Sequence, residues 1–146
     1  PDSTRIYLGC FRTLSTGAPI PMRMKRGRYL YNFSGSAAAD TRVLNTGSAT
    51  SNTAVDLAGL VPPHSQVATV RAEAVSTTGA AMNFAYLRTE GESGADEVNL
   101  MVRAVIGAQT VETMDIATDA DRRIAYRVSS FTSSPTLTLF VHGFCE

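Results

Sequence analysis

Residues able to do covalent or metal chemistry are few in this chain and lie far apart. There are two histidines, His64 and His142, and two cysteines, Cys10 and Cys145. Together they have the composition of a Cys2His2 zinc site. No local C-x-x-C pair brings two ligands into reach, so no metal is expected. Carboxylates gather at Glu90, Glu92, Asp96 and Glu97, and again at Asp119 and Asp121. The Asp119-Ala-Asp121 spacing is that of a calcium loop, but the glycine and distant glutamate of an EF-hand are missing, and a solvated turn is the simpler reading. Paired carboxylates for glycoside hydrolysis need a separation that only a fold can set, and nothing in the sequence favours them. There is no phosphate-cradling glycine loop, no H-E-x-x-H and no G-x-S-x-G. The expectation is a protein without catalytic residues, metal or cofactor.

Binding chemistry is better represented. Arg23, Lys25, Arg26 and Arg28 put four cations into six residues at a predicted hairpin. They suit an anionic partner: a glycan phosphate, a lipopolysaccharide or the acidic face of another subunit. A solvated turn balanced by the acidic 90–97 loop is the alternative. Tyr29, Tyr31 and Phe33 share one face of the next segment, with Leu30 and Asn32 opposite. Such a stripe can stack on sugars, or it can be core or subunit interface. Arg103, Arg123 and Arg127 fall on the polar phase of their segments, beside Met101, Ala125 and Val105. That face is too apolar to be fully solvated and too cationic to be core. A subunit interface reconciles the two, with guanidinium forks meeting a neighbour's Asp115 or Glu112.

The elements that must carry these residues are strands. Apolar segments of five to nine residues alternate with clusters of Gly, Ser, Thr, Asn and Asp. The spacing predicts strands at Arg5–Thr13, Ile20–Met24, Arg28–Phe33, Gln66–Ser76, Met82–Arg88, Glu97–Ile106, Val111–Ala117, Arg123–Ser130 and Thr136–Phe144. Shorter ones are predicted at Arg42–Leu44 and Ala54–Leu57. The hydrophobic period is two. Leu137, Leu139 and Val141 oppose Thr136, Thr138, Phe140 and His142; Ile124, Tyr126 and Val128 oppose Arg123, Ala125 and Arg127. Half-buried antiparallel strands produce this alternation. Several such strands are satisfied by two packed sheets, so the expected fold is all-β: one antiparallel β-sandwich or jelly-roll-like domain over residues 1–146. Ser34–Asn52, poor in bulky apolar residues, reads as a long loop or a segment ordered on assembly. Cys10 shares parity with Ile6 and Leu8, and Cys145 with Leu137, Leu139 and Val141. Both are therefore expected in the core, as free thiols rather than a bridge.

Composition narrows the function. The formal net charge is zero, which argues against bulk-charge nucleic-acid binding. No apolar run approaches a membrane-spanning length and no signal peptide is visible. Only 18% of residues are charged, and lysine occurs once against twelve arginines. Arginine is the cation that interfaces accept most readily, so this composition suits a surface buried against other copies. Source-genome nucleotide bias also trades lysine for arginine.

Two segments resemble a known group. Tyr7-Leu8-Gly9-Cys10-Phe11-Arg12-Thr13, a glycine-containing turn and Arg28-Tyr29-Leu30-Tyr31-Asn32 are similar to paired strands in structural proteins of tailed bacteriophages. The ending Leu139-Phe140-Val141-His142-Gly143-Phe144 resembles the closing strand of phage fibre-tip domains. The match covers about a quarter of the chain, and Tyr31 stands where tryptophan is common. The resemblance implies a non-enzymatic virion protein, a homotrimer in a tail fibre, receptor-binding tip or head decoration. It further implies assembly in the host cytoplasm with other virion proteins as partners and a host surface glycan as a possible ligand, without membrane insertion. A carbohydrate-binding module of a secreted or surface protein is the alternative; the absence of tryptophan weakens it.

Overall fold

A computed structural model describes Gly17 and residues 22–31, 41–76, 83–92, 100–129 and 135–145; for Lys25 and Met101 it describes the backbone. The predicted strand at Arg5–Thr13 and Cys10 lie outside the described residues. Among the described residues ten strands run in chain order: β1 (Met22–Lys25), β2 (Arg28–Tyr31), β3 (Arg42–Gly47), β4 (Thr53–Asp56), β5 (Val67–Val75), β6 (Asn83–Thr89), β7 (Leu100–Ala104), β8 (Thr110–Ala117), β9 (Arg123–Val128) and β10 (Thr136–Cys145). No helix occurs among the described residues. Period two was the right signal, because each strand has one face to bury.

The strands form two antiparallel sheets. One has the order β1-β2-β10-β5-β8, with β3 also on β10; the other has the order β4-β9-β6-β7. The pairings nest. β7 pairs with β6, β8 with β5, β9 with β4 and β10 with β3, so the second half of the chain retraces the first. The β1–β2 hairpin adds to this body where Leu30, Tyr29 and Arg28 lie opposite Gly143, Phe144 and Cys145. Its turn residues Arg26 and Gly27 both have positive φ, 53° and 76°, as a two-residue hairpin matched to strand twist requires.

The core lies between the sheets. β5 contributes Ala68, Val70, Ala72 and Ala74, and β10 contributes Leu137, Leu139, Val141 and Phe144. Ala85, Leu87, Val102, Ile124, Tyr126 and Val128 face them from the four-stranded sheet. Small residues on β5 leave room for larger ones opposite, which is how two pleated faces interdigitate. Leu57, Leu60 and Val61, in the connection after β4, close one end. Each fully buried aliphatic side chain contributes roughly 1.5–3 kcal/mol.

Two expectations are corrected here. Ser34–Asn52 is not all loop: the short strand expected at Arg42–Leu44 is present and runs on to Gly47 as β3, paired with β10, while residues 34–40 lie outside the described residues. Its sequence signal is weak because Val43 and Leu44 alone of this strand pack against the core. The second correction concerns Cys145. Along β10 the partners on β5 run in step from Thr136↔Val75 to Val141↔Val70, then skip His142 so that Gly143 meets Thr69 and Phe144 meets Ala68. This one-residue bulge reverses the strand's phase. Phe144 enters the core and Cys145, expected there by parity, turns out of it as a half-buried free thiol. Parity counting fails wherever a strand carries an extra residue.

The bulge also sets Gly143 against β2. A Cβ at position 143 would overlap the Tyr29 carbonyl oxygen, an immovable backbone atom. Overpacking of a core ordinarily costs about 1–3 kcal/mol, and a backbone clash lies at or above that range. Gly143→Ala is expected to lower the melting temperature strongly, while Gly91→Ala, where an added Cβ meets nothing within 4 Å but φ is +79°, should show a smaller loss from backbone strain. Thermal unfolding of the two variants checks this.

His142, the bulged residue, is half-buried. Burial, and then the charge of Arg71, hold its imidazole below the ordinary 6.5. The unfolded chain therefore takes up a proton at a higher pH than the folded one, so protonation favours unfolding. The stability contribution is complete above pH 6.5 and is lost as pH falls toward the lower folded value. Melting temperatures at pH 7.5 and 5.5 are expected to differ more for the wild type than for His142→Gln.

Candidate functional site

The outward side chains decide what this sandwich can hold. On the four-stranded sheet, β6 places Phe84, Tyr86 and Arg88 outward, because Asn83, Ala85 and Leu87 are buried on the other phase. β7 and β9 flank β6. Their register sets Arg103 opposite Phe84 and Arg127 opposite Tyr86. The Arg127 guanidinium lies over the Tyr86 ring, 4.3 Å from its centroid. The Phe84 and Tyr86 rings are 6.2 Å apart at 47°. Phe84 is fixed from both backbone ends: its N–H donates to Ser129 Oγ at 3.1 Å, and its carbonyl accepts the Ser129 N–H at 2.8 Å.

This stacking has a chemical consequence. A guanidinium over a ring can keep N–H donors free for an anion, and the ring supplies cation–π attraction of roughly 0.5–1 kcal/mol at an exposed site. Neither Arg103 nor Arg127 forms an ion pair among the described residues. At the other end of the sheet the charges are satisfied. Arg123 meets Asp119 and Asp121, each at 2.9 Å. Its backbone N–H also donates to Asp119 Oδ1 at 2.7 Å. Burial pushes the Asp119 carboxyl up, but hydrogen bonds and charge from Arg123 more than reverse this and hold it below its usual value. The D-x-D spacing is thus a turn closed on Arg123, and Arg123 is not free for a neighbour as expected.

Past Arg103 the chain makes a fixed corner. The Ser76 N–H donates to the Val105 carbonyl at 3.2 Å and the Gly107 N–H to the Ser76 carbonyl at 3.0 Å. Ser76 is itself buried and its Oγ accepts from Asn83 Nδ2 at 3.2 Å. Gly107 has φ of +66°, which lets the chain turn from β7 toward β8. The corner exposes Val105 (37%) and Ile106 (47%), and Val111 (45%) follows on β8. Scattered exposed aliphatics need no explanation, whereas a group of them does. Phe84, Tyr86, Arg103 and Arg127 thus share the outward face of the four-stranded sheet, Val105 and Ile106 follow Arg103 at the corner, and Val111 lies on the outward phase of β8.

The remaining expected site residues lie elsewhere. Arg23, Lys25, Arg26 and Arg28 occupy the β1–β2 hairpin, at the opposite edge of the six-stranded sheet from β8. Arg23 and Arg26 are exposed, with Met24 (70%) between them. Arg28 reaches back to an ion pair with Asp115 of β8, whose other oxygen accepts from Thr69 Oγ1 at 2.7 Å. Asp115 therefore has its partner inside the chain and does not await one from a neighbour. For Tyr29 and Tyr31 the structure takes the core alternative. Tyr29 stacks on Phe144 at 5.0 Å and 13°, and Tyr31 meets the same ring edge-on at 6.2 Å and 63°. Tyr31 is buried and its hydroxyl donates to the Leu60 carbonyl. Once the bulge brings Phe144 inward, these rings become core, and no sugar platform is left there.

Phe84 and Tyr86 are the residues that sequence reasoning passed over. In Asn-Phe-Ala-Tyr-Leu-Arg the aromatics look like the core phase. The contrary signal is Arg88, which shares their phase and marks it as outward. Among the described residues no group of three or more His, Cys, Asp and Glu could hold a metal ion, and no helix is long and apolar enough to cross a membrane. No protein-family model and no curated protein matches the chain, so its own surface chemistry has to carry the reading of what it does.

Proposed function

We propose that this chain is a non-enzymatic building block of a bacteriophage virion, a tail-fibre, receptor-binding or head-decoration protein, that works by associating with copies of itself as a homotrimer. The observation that carries the reading is the patch around β7. Its aromatic, arginine and aliphatic members are the residue types that protein interfaces concentrate, with Tyr and Arg foremost among energetic hot spots. A patch meant for water would not combine two outward aromatic rings with three exposed aliphatics.

The strand order supports the reading at the level of architecture. Nested pairing of β3–β6 with β7–β10 across two antiparallel sheets supports reading the sandwich as a jelly roll, in which eight strands form two Greek keys. Viral capsid domains use that arrangement, but so do lectins and cupins, so this support is by analogy. The phage assignment itself rests on the resemblance of the first and last segments of the sequence. The carbohydrate-binding alternative loses the Tyr29–Tyr31 stripe on which it stood.

Light scattering and sedimentation over a wide concentration range test the proposal. The expected result is a mass three times that of the 15.6 kDa chain. A single-chain mass at every concentration would overturn self-association. Arg127→Ala and Tyr86→Ala should each weaken association by about 2 kcal/mol or more, the hot-spot range, which is roughly thirty-fold. The same variants should change the melting temperature little, because removing an exposed cation–π contact costs about 0.5–1 kcal/mol of fold stability.

A further inference from the structure

We infer that Arg127 receives the Glu112 carboxylate of a neighbouring copy. The inference rests on the self-association reading and names the charge pair within it. Among the described acids, Asp119 and Asp121 are held by Arg123. Asp115 is held by Arg28, and Glu73 by Arg71 and Gln109. Asp56 Oδ1 accepts the Ala58 N–H at 2.7 Å, and Glu90 acts on Arg123 by charge. Glu112 and Glu92 remain, both exposed and neither in an ion pair among the described residues. Glu92 sits in the turn after β6, away from the exposed aliphatics.

Glu112 has a different setting. It lies on β8 opposite Ala72, in the phase that faces the core. Along that phase Ile116 is buried, Met114 half-buried and Glu112 exposed, so the inner face of β8 opens as it nears the Val105–Ile106 corner. β8 is an edge strand of the six-stranded sheet and β7 an edge strand of the four-stranded sheet. Glu112 therefore stands at the β8 edge near the Val105–Ile106 corner, and Arg103 and Arg127, one on each side of β6, lie on the outward face of the four-stranded sheet. Inward-pointing charges are one way natural edge strands avoid open-ended pairing, and Glu112 places one on β8, so a second copy docks here with a cation to meet it.

The cationic face and the acidic edge are complementary to each other rather than to themselves. Placing the cationic face of one copy on the acidic edge of the next pairs opposite charges. Placing like surfaces together would set arginine against arginine. Charges arranged this way fix the register of an interface and disfavour wrong ones. Such a contact can repeat around a closed ring, as a trimer needs.

Charge reversal within one chain tests the pairing. Arg127→Glu and Glu112→Arg, each alone, should weaken association by about thirty-fold or more, as expected for one partner of a close interfacial charge pair. The double variant carrying both changes should recover to within a few-fold of the wild type, by sedimentation equilibrium at fixed salt. A melting curve for each protein confirms that the subunit still folds. A double variant as weak as the product of the two single effects overturns the Glu112 assignment. So does a wild type that associates while either single reversal leaves it unaffected. A wild type that stays single at all concentrations overturns the self-association reading itself, and the pairing with it.

Discussion

The antiparallel ladder between β5 and β10 is the constraint on which the rest depends. It runs from Thr136↔Val75 to Cys145↔Val67 through the middle of the larger sheet. β10 also carries β3 and β2 along its other edge, while β5 carries β8. The inward side chains of these two strands form one wall of the core, from Ala68 to Ala74 and from Leu137 to Phe144. A slip of one residue in this ladder would turn that whole wall outward, since successive side chains point to opposite faces. The bulge at His142 performs such a slip in miniature, at one place. It brings Phe144 in, and with it the rings of Tyr29 and Tyr31. One extra residue in β10 thus helps anchor the β1–β2 hairpin, beside the Arg28–Asp115 ion pair and the Tyr31–Leu60 hydrogen bond.

Much of this was legible in the sequence, and the reason is physical. Alternation at period two follows from strand geometry, so Leu137, Leu139, Ile124, Tyr126 and Val128 could be assigned to the core side from their spacing. The outward placement of Arg103, Arg123 and Arg127 followed from the same count. What the spacing does not encode is register between strands. Cys145 was misplaced because the bulge before it is set by β5 and β2, not by β10. The partner of Asp115 was misjudged for the same reason: Arg28 reaches it across the sheet from three strands away in the sheet order.

The aromatic residues show the limit most clearly. For Tyr29 and Tyr31 the sequence offers both a sugar platform and a core place, and they pack against the core; Phe84 and Tyr86, which the sequence does not single out, face outward. In each strand the pattern offers two faces of similar hydrophobicity, and only neighbouring strands choose between them. Tyr31 goes inward because Phe144 and the Leu60 carbonyl meet it there. Tyr86 goes outward because Ala85 and Leu87 fit beneath the opposite sheet, and Arg127 then covers its ring.

The knot at Ser76 bears on how fast and how sharply such a surface can recognise anything. Buried Ser76 ties the end of β5 to the carbonyl of Val105, the amide of Gly107 and the side chain of Asn83. The aliphatic corner is thereby set in place before any encounter. Ordering a loose loop on docking usually consumes part of the attraction that the docked side chains provide, and a pre-set corner avoids that loss of freedom. Encounter then resembles the meeting of two finished surfaces, with little rearrangement to slow it. Every copy of the chain then offers the same shape at every meeting.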